Sequence, residues 1–203
     1  MSLRDLVAVD GYPYPANSFF MVAVLAREAS VLDLAKASVD PAASVWSGEA
    51  IYGGLSEDEY VEKGRALMAQ SQETAEYLAL LESGFRIAPG DRSPVTVIAE
   101  SGEVTGPSAG LAIALELIST LRGVDLTRGK KVVATGALGP DGQVLPVGGI
   151  AQKAAACSLE GVDLFLVPSG LEAEAKRYSG TVTVVGVRSL ALAVRYLEGE
   201  DIP

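Results

Sequence analysis

The segment Gly106-Pro107-Ser108-Ala109-Gly110, followed by the apolar run Leu111–Leu121, decides how this chain is interpreted. The alternating, β-branched residues Val95–Ala99 predict a strand before the segment, and the apolar run predicts a buried helix after it. Pro107 suits the first helical position because its missing N–H leaves no donor unpaired. The segment therefore predicts a strand-to-helix corner that presents Ser108 beside unpaired backbone amides. Taken alone, the pentapeptide fits an ordinary helix N-terminus better.

The composition indicates one folded domain, or one domain with an appendage. The chain has 203 residues, of which 49% are hydrophobic, so its core needs no metal or disulfide for stability. Cys157 is the single cysteine, which rules out an internal disulfide framework. The net charge of −10 argues against nucleic acid or an anionic membrane as the main partner. No apolar run reaches membrane-spanning length, and no charged-then-apolar leader opens the chain.

The most restrictive feature of the composition is the absence of histidine. Every Ser-His-Asp or Cys-His hydrolase arrangement is excluded, and so is every histidine metal site. If a serine of this chain is a nucleophile, its base must be a lysine, a carboxylate or a bound water.

The first half of the chain predicts one buried strand and one long helix. The continuous apolar run Phe19–Leu25 indicates the strand. Residues 30–47 predict a helix or an irregular crossover. Ser56 and Glu59 have the spacing of a capping box, which predicts a helix from there to about Leu81. One stripe of this helix has helical spacing and is expected to face inward. The stripe consists of Tyr60, Leu67, Ser71, Thr74, Ala75, Leu78 and Leu81.

A β-hairpin and a helix are predicted in the middle of the second half. Lys131–Gly136 and Gln143–Val147 flank the turn residues Gly139–Gly142, which is a strong hairpin pattern. The alanine-rich run that starts at Ile150 predicts a helix that ends at Gly161.

Two further strand–helix pairs complete the chain. Asp163–Val167 predicts a buried strand, after which Ser169 is expected to cap a short helix. Thr181–Val187 predicts another strand, and Ser189 is expected to cap the final helix, Leu190–Leu197. The second half therefore mixes hairpin and crossover elements around one sheet, which makes the predicted fold class α+β.

Lys153 is the candidate general base. It falls in the first turns of the predicted helix, where its neighbours are Ile150, Ala151 and the run Ala154–Ala156, with little compensating charge. A free lysine has a pKa of about 10.4, so about one molecule in 2,500 is neutral at pH 7. A base that works near neutrality needs a pKa about 3 units lower, which costs roughly 4 kcal/mol. Desolvation or a helix N-terminus can supply this shift. The alternative is a lysine that reaches solvent from a surface helix, as most lysines do.

Three motifs together resemble the signature of the Lon family of serine peptidases. They are Gly106-Pro107-Ser108-Ala109-Gly110, then Thr135-Gly136, then Gly142-x-Val144-Leu145-Pro146-Val147-Gly148-Gly149-Ile150-x-x-Lys153. Their order and spacing agree with the family, and the similarity is dense over residues 94–200. Upstream, Ser71-Gln72-x-x-Ala75 resembles more closely the bacterial Lon-like proteins that carry a membrane anchor and a PDZ module, here without that module.

This resemblance implies a Ser-Lys dyad on a Lon proteolytic-domain fold. Ser108 would be the nucleophile, Lys153 would take its proton, and Thr135 would contact and orient the lysine. Backbone N–H groups of Ser108, Ala109 and Gly106 would form the oxyanion hole. An extended substrate would pair by strand addition with the preceding segment. That segment consists of Ser101, Gly102, Glu103, Val104 and Thr105.

The resemblance also sets expectations for domains, partners and activity. Residues 1–93 would form the N-terminal part and residues 94–203 the Ser-Lys core of one compact domain, with the clearest break at Ala88–Pro94. The stretch Gly123–Lys131 lacks the spacing of a phosphate loop, so we expect an endopeptidase that does not use ATP.

The expected partners are a polypeptide substrate and further copies of the chain in a ring, with no nucleic acid and no cofactor. Membrane contact would occur only through an anchor outside this sequence, which implies an extracytoplasmic full-length relative, with the cytoplasm as the alternative. Two rival functions remain at this stage. One is a peptide-binding or assembly module with an inactive dyad, and the other is a Ser-Lys amidase that acts on small molecules.

Overall fold

The fold combines helices with parallel and antiparallel strand pairs, which confirms the predicted α+β class. A computed structural model describes residues 1–3, 7–9, 11–13, 15–24, 27–40, 43–86, 95–97 and 106–201. The predicted break at Ala88–Pro94 and the predicted substrate segment Ser101–Thr105 lie outside these residues. Both halves of the chain contribute to one hydrophobic cluster, in which Phe19 and Leu78 pack with Leu115 and Leu166.

The buried helix predicted after the pentapeptide is confirmed. This helix, α4, spans Gly110–Arg122, and every residue in it except the last is buried. It ends at Gly123, whose φ of +64° is a left-handed conformation that favours glycine. Glu116 on α4 is 1% exposed and accepts hydrogen bonds from Ser18 Oγ at 3.1 Å and from the Phe19 amide at 2.7 Å. This buried carboxylate therefore attaches the N-terminal segment to the central helix.

The long helix of the first half, α3, spans Glu57–Glu82 and packs against α4. Its capping box is confirmed, because the hydroxyl of Ser56 accepts from the Glu59 amide and the Glu59 carboxylate accepts from the Ser56 amide. The buried face consists of Met68, Ser71, Ala75, Leu78, Ala79 and Leu80.

The stripe predicted for α3 was therefore partly wrong. Tyr60, Leu67 and Leu81 are 38%, 38% and 46% exposed, whereas Ser71 and Ala75 are buried. The physical reason is that the buried face of α3 includes Met68, Ala79 and Leu80 in addition to the predicted Ser71, Ala75 and Leu78, so it lies rotated around the helix axis from the predicted stripe.

Three parallel strands form the main sheet, in the order β3, β6, β7. They span Val132–Ala134, Leu164–Pro168 and Thr183–Val187. Helix α5, Ile150–Leu159, precedes β6, and helix α6, Glu172–Lys176, connects β6 to β7. The strands predicted for residues 163–167 and 181–187, and the helix predicted from Ile150, are thereby confirmed.

The predicted hairpin exists, but one of its arms was assigned incorrectly. The paired strands are β4, Ala137–Leu138, and β5, Val144–Leu145, so the turn residues 139–142 were correct. The predicted first arm, Lys131–Gly136, instead contains β3, which pairs with β6. The chain leaves the sheet between β3 and β4. The Thr135 amide still donates to Leu166 O on β6 at 3.0 Å, but the Gly136 amide donates to Ser108 O, which lies outside the sheet.

The N-terminal part pairs at two places with the rest of the chain. Strand β1, Val7–Val9, is antiparallel to β2, Val95–Val97, within the predicted strand 95–99. The strand predicted at Phe19–Leu25 was wrong in extent, because among its described residues only Phe20 forms bridges, to Ser2 and to Val133 in the main sheet. Phe19 and Met21 are buried, whereas Ala23 and Val24 are exposed, so the apolar run indicated burial correctly only in its first part.

Short helices occupy the predicted crossover and the chain end. Helix α1, Val31–Ala37, and helix α2, Gly48–Tyr52, lie in and just after residues 30–47. The cap predicted at Ser169 was wrong, because α6 begins after Leu171, and the Ser169 amide instead donates to the end of β7. The cap predicted at Ser189 is confirmed for α7, Leu190–Leu197. In the part of the chain that the structure describes, no helix combines the length and apolarity needed to cross a bilayer.

Candidate active site

Ser108 lies at the corner between the N-terminal half of the chain and the central helix. It is half-buried in a single 3₁₀ turn, Pro107–Ala109, and α4 begins at the next residue, Gly110. Gly106 enters the turn with a φ of +96°, a conformation that strains residues with a side chain. The Gly110 amide closes the turn by donating to Pro107 O. The pentapeptide thus folds as a tight helix start, as the sequence predicted.

The chain segment after β3 is hydrogen-bonded to this turn. The Gly136 amide donates to Ser108 O at 2.8 Å, and the Leu111 amide donates back to Gly136 O at 3.0 Å. Thr135 is fully buried beside them, and its own amide is held by Leu166 O on β6. Backbone hydrogen bonds therefore fix the end of β3 against the residue that carries the candidate nucleophile.

Lys153 is one of the most deeply buried charged side chains in the described residues, at 4% exposure. It lies on the inward face of α5 with Ile150, Ala154 and Cys157, at the spacing of one helical stripe. Its Nζ donates to Thr135 Oγ1 at 3.0 Å. Within the described ranges, no carboxylate forms an ion pair with it.

Burial lowers the pKa of Lys153 from its usual 10.5 to about 8. The cause is desolvation, because the apolar surroundings disfavour the ammonium and no opposite charge compensates for it. With this pKa, about one amine in ten is neutral at pH 7, compared with about one in 2,500 for a free lysine. The structure thus supplies most of the shift that the sequence argument required of a general base.

Thr135 joins the lysine to the serine segment. Its Oγ1 accepts the hydrogen bond from Lys153 Nζ and donates to Ser108 O at 3.3 Å. The hydroxyl can therefore fix the position of the amine relative to the backbone of residue 108. Three residues that the sequence singled out, from three separate elements, meet in this one network.

The remaining predicted site residues are the oxyanion candidates and the substrate segment. The Gly106 amide donates to Gly64 O on α3 at 3.0 Å, so it has no hydrogen left for an oxyanion in this arrangement, contrary to the prediction. Ser108 and Ala109 lie on the 3₁₀ turn, where the first amides of a helix face outward. The predicted substrate residues 101–105 lie outside the described residues.

Sequence reasoning missed the contacts that α3 makes with the serine turn. Ser71 is 4% exposed, and its Oγ donates to Pro107 O at 2.9 Å. The sequence placed Ser71 only on an inward stripe and in a family resemblance. The available signal was a serine and an alanine, Ala75, at one-turn spacing on a helix face that must be buried.

Part of the chain is similar to known proteins. Residues 94–183 match the family model described as the Lon protease (S16) C-terminal proteolytic domain. The chain is 31% identical over 135 residues to the Lon protease of Trichlorobacter lovleyi, in an alignment that covers 63% of this chain and 16% of that protein. It is 45% identical over 67 residues to the peroxisomal Lon protease homolog 2 of Eremothecium gossypii, covering 32% of this chain and 6% of that protein. It is 38% identical over 65 residues to the archaeal Lon protease of Archaeoglobus fulgidus, covering 32% and 10%.

Residues 94–183 are thus similar to the proteolytic domain of the Lon proteases, a family of serine peptidases. The chain spans between 6% and 16% of the length of the three relatives named above.

Proposed function

We propose that this chain is a serine endopeptidase that hydrolyses peptide bonds in unfolded or extended polypeptides, with Ser108 as nucleophile and Lys153 as general base. The observation that supports this most strongly is the lysine itself. It is buried without an ion pair among the described residues, its pKa is lowered to about 8, and Thr135 connects it to the backbone of Ser108. A lysine kept for stability alone would be expected to have a carboxylate partner when it is buried.

In the proposed reaction, Ser108 Oγ attacks the peptide carbonyl while its proton passes to neutral Lys153 Nζ. The C=O π electrons move to the oxygen, which becomes an oxyanion. When the intermediate collapses, the C–N bond breaks, and the ammonium returns the proton to the departing amine. Water then attacks the acyl-enzyme with the same lysine as base, which releases the acid and restores the serine.

Oxyanion stabilisation is assigned to backbone amides at the start of α4. Ser108 and Ala109 are the candidates, because the Gly106 amide already donates to Gly64 O. Loss of one donor of this kind typically slows acyl transfer by a factor that corresponds to about 2.7–4 kcal/mol. The segment 101–105 remains the proposed site of strand addition by the substrate.

A fluorophosphonate probe and a casein digest test this function. The wild-type protein should be labelled at Ser108 and should digest casein without ATP, and Ser108→Ala and Lys153→Met should abolish both signals. Labelling without casein digestion would favour a Ser-Lys amidase for small molecules. Absence of both signals in the folded wild-type protein would favour a peptide-binding module and would overturn the proposal.

Three further properties belong to the proposal through the family resemblance. We infer a homo-oligomeric ring, ATP-independent peptidase activity, and a full-length protein anchored in a membrane with this domain outside the cytoplasm. Light scattering of the purified chain checks the ring. Membrane fractionation of the full-length protein, with protease protection of this domain, checks the anchor against a cytoplasmic location.

A further inference from the structure

Helix α3 contacts the start of the turn that carries Ser108 at two successive residues. Gly64 O accepts from the Gly106 amide at 3.0 Å. The buried hydroxyl of Ser71 donates to Pro107 O at 2.9 Å. The two α3 groups are seven residues apart, which is two turns, so they lie on the same face of the helix. This face holds the serine turn by two hydrogen bonds from outside the catalytic elements.

The Ser71 hydroxyl also fills the space next to α4. A Cβ placed on Gly110 would overlap Ser71 Oγ, while the next closest atom would be the Leu138 amide nitrogen at 3.5 Å. Since Gly110 has ordinary helical dihedrals, a side chain here would be opposed mainly by the hydroxyl of Ser71, which would have to leave its position against Pro107 O. The hydroxyl and the missing side chain fit each other across the interface of α3 and the serine turn.

We propose that Ser71 is a positioning residue for the nucleophile, and this inference rests on the proposed peptidase function. Its hydrogen bond fixes the Pro107 carbonyl and thereby the orientation of the peptide that leads into Ser108. Ser108 O, the next carbonyl of the turn, is fixed by Gly136 N and Thr135 Oγ1. Two successive carbonyls of the turn are thus held by two different parts of the chain, one by α3 and one by the segment that follows β3.

This arrangement predicts a specific kinetic effect. Without the Ser71 hydroxyl, Pro107 O keeps only the Gly110 amide as a donor and loses its attachment to α3, so the turn can shift although Lys153 and Thr135 are untouched. Small displacements of a reacting group can slow an enzyme by up to about a hundredfold. We therefore expect Ser71→Ala to lower kcat and the rate of fluorophosphonate labelling by tenfold or more, with KM changed by less than threefold and the inflection of the pH profile unchanged.

The matched control is Thr74→Ala on the same helix. Thr74 Oγ1 donates to Gln70 O within α3, so its removal deletes a hydroxyl without touching the serine turn. Ser71→Cys is the second variant, because it is nearly isosteric but a weak donor, and it preserves the packing if Ser71→Ala folds poorly. Circular dichroism and urea unfolding establish that each protein is folded under the assay conditions.

The expected result is that Ser71→Ala and Ser71→Cys fold but label slowly, whereas Thr74→Ala labels like wild type. Gly110→Ala should lower the urea midpoint, and adding Ser71→Ala should restore part of that loss because the overlapping hydroxyl is gone. The inference is overturned if active wild type and both folded Ser71 variants label at equal rates. It is also overturned if Thr74→Ala loses as much as they do. An unlabelled wild-type protein would instead overturn the peptidase function, and this inference with it.

Discussion

Replacing Lys153 by methionine tests directly whether the amine is as poorly solvated as its position implies. Methionine has a similar length and fills the same space without a charge. The substitution removes the ammonium, and with it the hydrogen bond from Nζ to Thr135 Oγ1. Two effects of opposite sign therefore follow, and their pH dependence separates them.

The magnitude follows from the pKa of Lys153, which is about 8 in the folded protein and 10.5 when the side chain is solvated. The folded state binds fewer protons than the unfolded state between these values, so the free energy of unfolding of wild type rises with pH across that window. The charged lysine costs about 3 kcal/mol at pH 7, and about 2 kcal/mol of this is recovered by about pH 9.5. The lost hydrogen bond offsets about 1 kcal/mol at every pH.

We therefore expect Lys153→Met to be more stable than wild type by about 2 kcal/mol at pH 7, with the difference vanishing near pH 9.5. Urea unfolding of both proteins at four pH values between these limits measures it. Lys130→Met, which removes the charge of an exposed lysine, controls for the change of side chain. If the difference between Lys153→Met and wild type were the same at every pH, the lysine would titrate like a solvated one. The argument for a buried general base would then fail.

Three further predictions concern the network and its surroundings. Peptidase activity of wild type should rise with pH and level off above about pH 8. Thr135→Val should lower the plateau and move the inflection of the kcat/KM profile to lower pH, because the ammonium of Lys153 loses its acceptor. An unchanged profile would contradict the role of Thr135. Burial raises the pKa of Cys157 to about 12, so this thiol should resist a thiol reagent in the native protein and react only on unfolding. Rapid stoichiometric labelling in buffer would contradict its burial. Glu116→Leu should lower the free energy of unfolding by about 2 kcal/mol or more in a urea titration, because the Phe19 amide loses its buried acceptor, and an unchanged midpoint would show that this segment is not held there.

Features that depend on neighbouring residues were predictable from the sequence. The caps at Ser56 and Ser189 are confirmed. Capping is local, because the serine hydroxyl accepts a hydrogen bond from an amide only three residues along the chain. The buried helix α4 is confirmed, since an unbroken apolar run can be stable only in a core. The apolar neighbours of Lys153 left burial and a solvent-reaching lysine both open, and only the family resemblance favoured the buried alternative that the structure shows.

Features that depend on distant partners were not predictable. Lys131–Gly136 has the pattern of a hairpin arm, but β3 pairs with β6, about thirty residues away, because parallel pairing buries it on both sides. Likewise, a single serine on α3 gives no sign that its partner will be Pro107 O, because both groups are ordinary in sequence. The apolar run at Phe19–Leu25 indicated burial that only its first part has, because its burial and its hydrogen-bond partners depend on where the sheet edge lies.

Lys131 and Lys153 differ in whether their surroundings compensate the charge of the side chain. Lys131 also approaches the core, over the ring of Phe20, but it is only partly buried, and its ammonium lies 3.6 Å from Glu160. That arrangement satisfies a charge in the usual way, with a carboxylate and access to solvent. In the described part of the chain, Lys153 has neither a carboxylate partner nor access to solvent, although the protein contains 26 acidic residues against 16 basic ones. Among the described residues, the hydrogen-bond partner of its amine is a neutral hydroxyl, which orients the amine without stabilising its charge as a carboxylate would. A fold under selection for stability alone would replace such a lysine with an apolar residue, so the uncompensated charge supports the proposal that this amine acts as a general base.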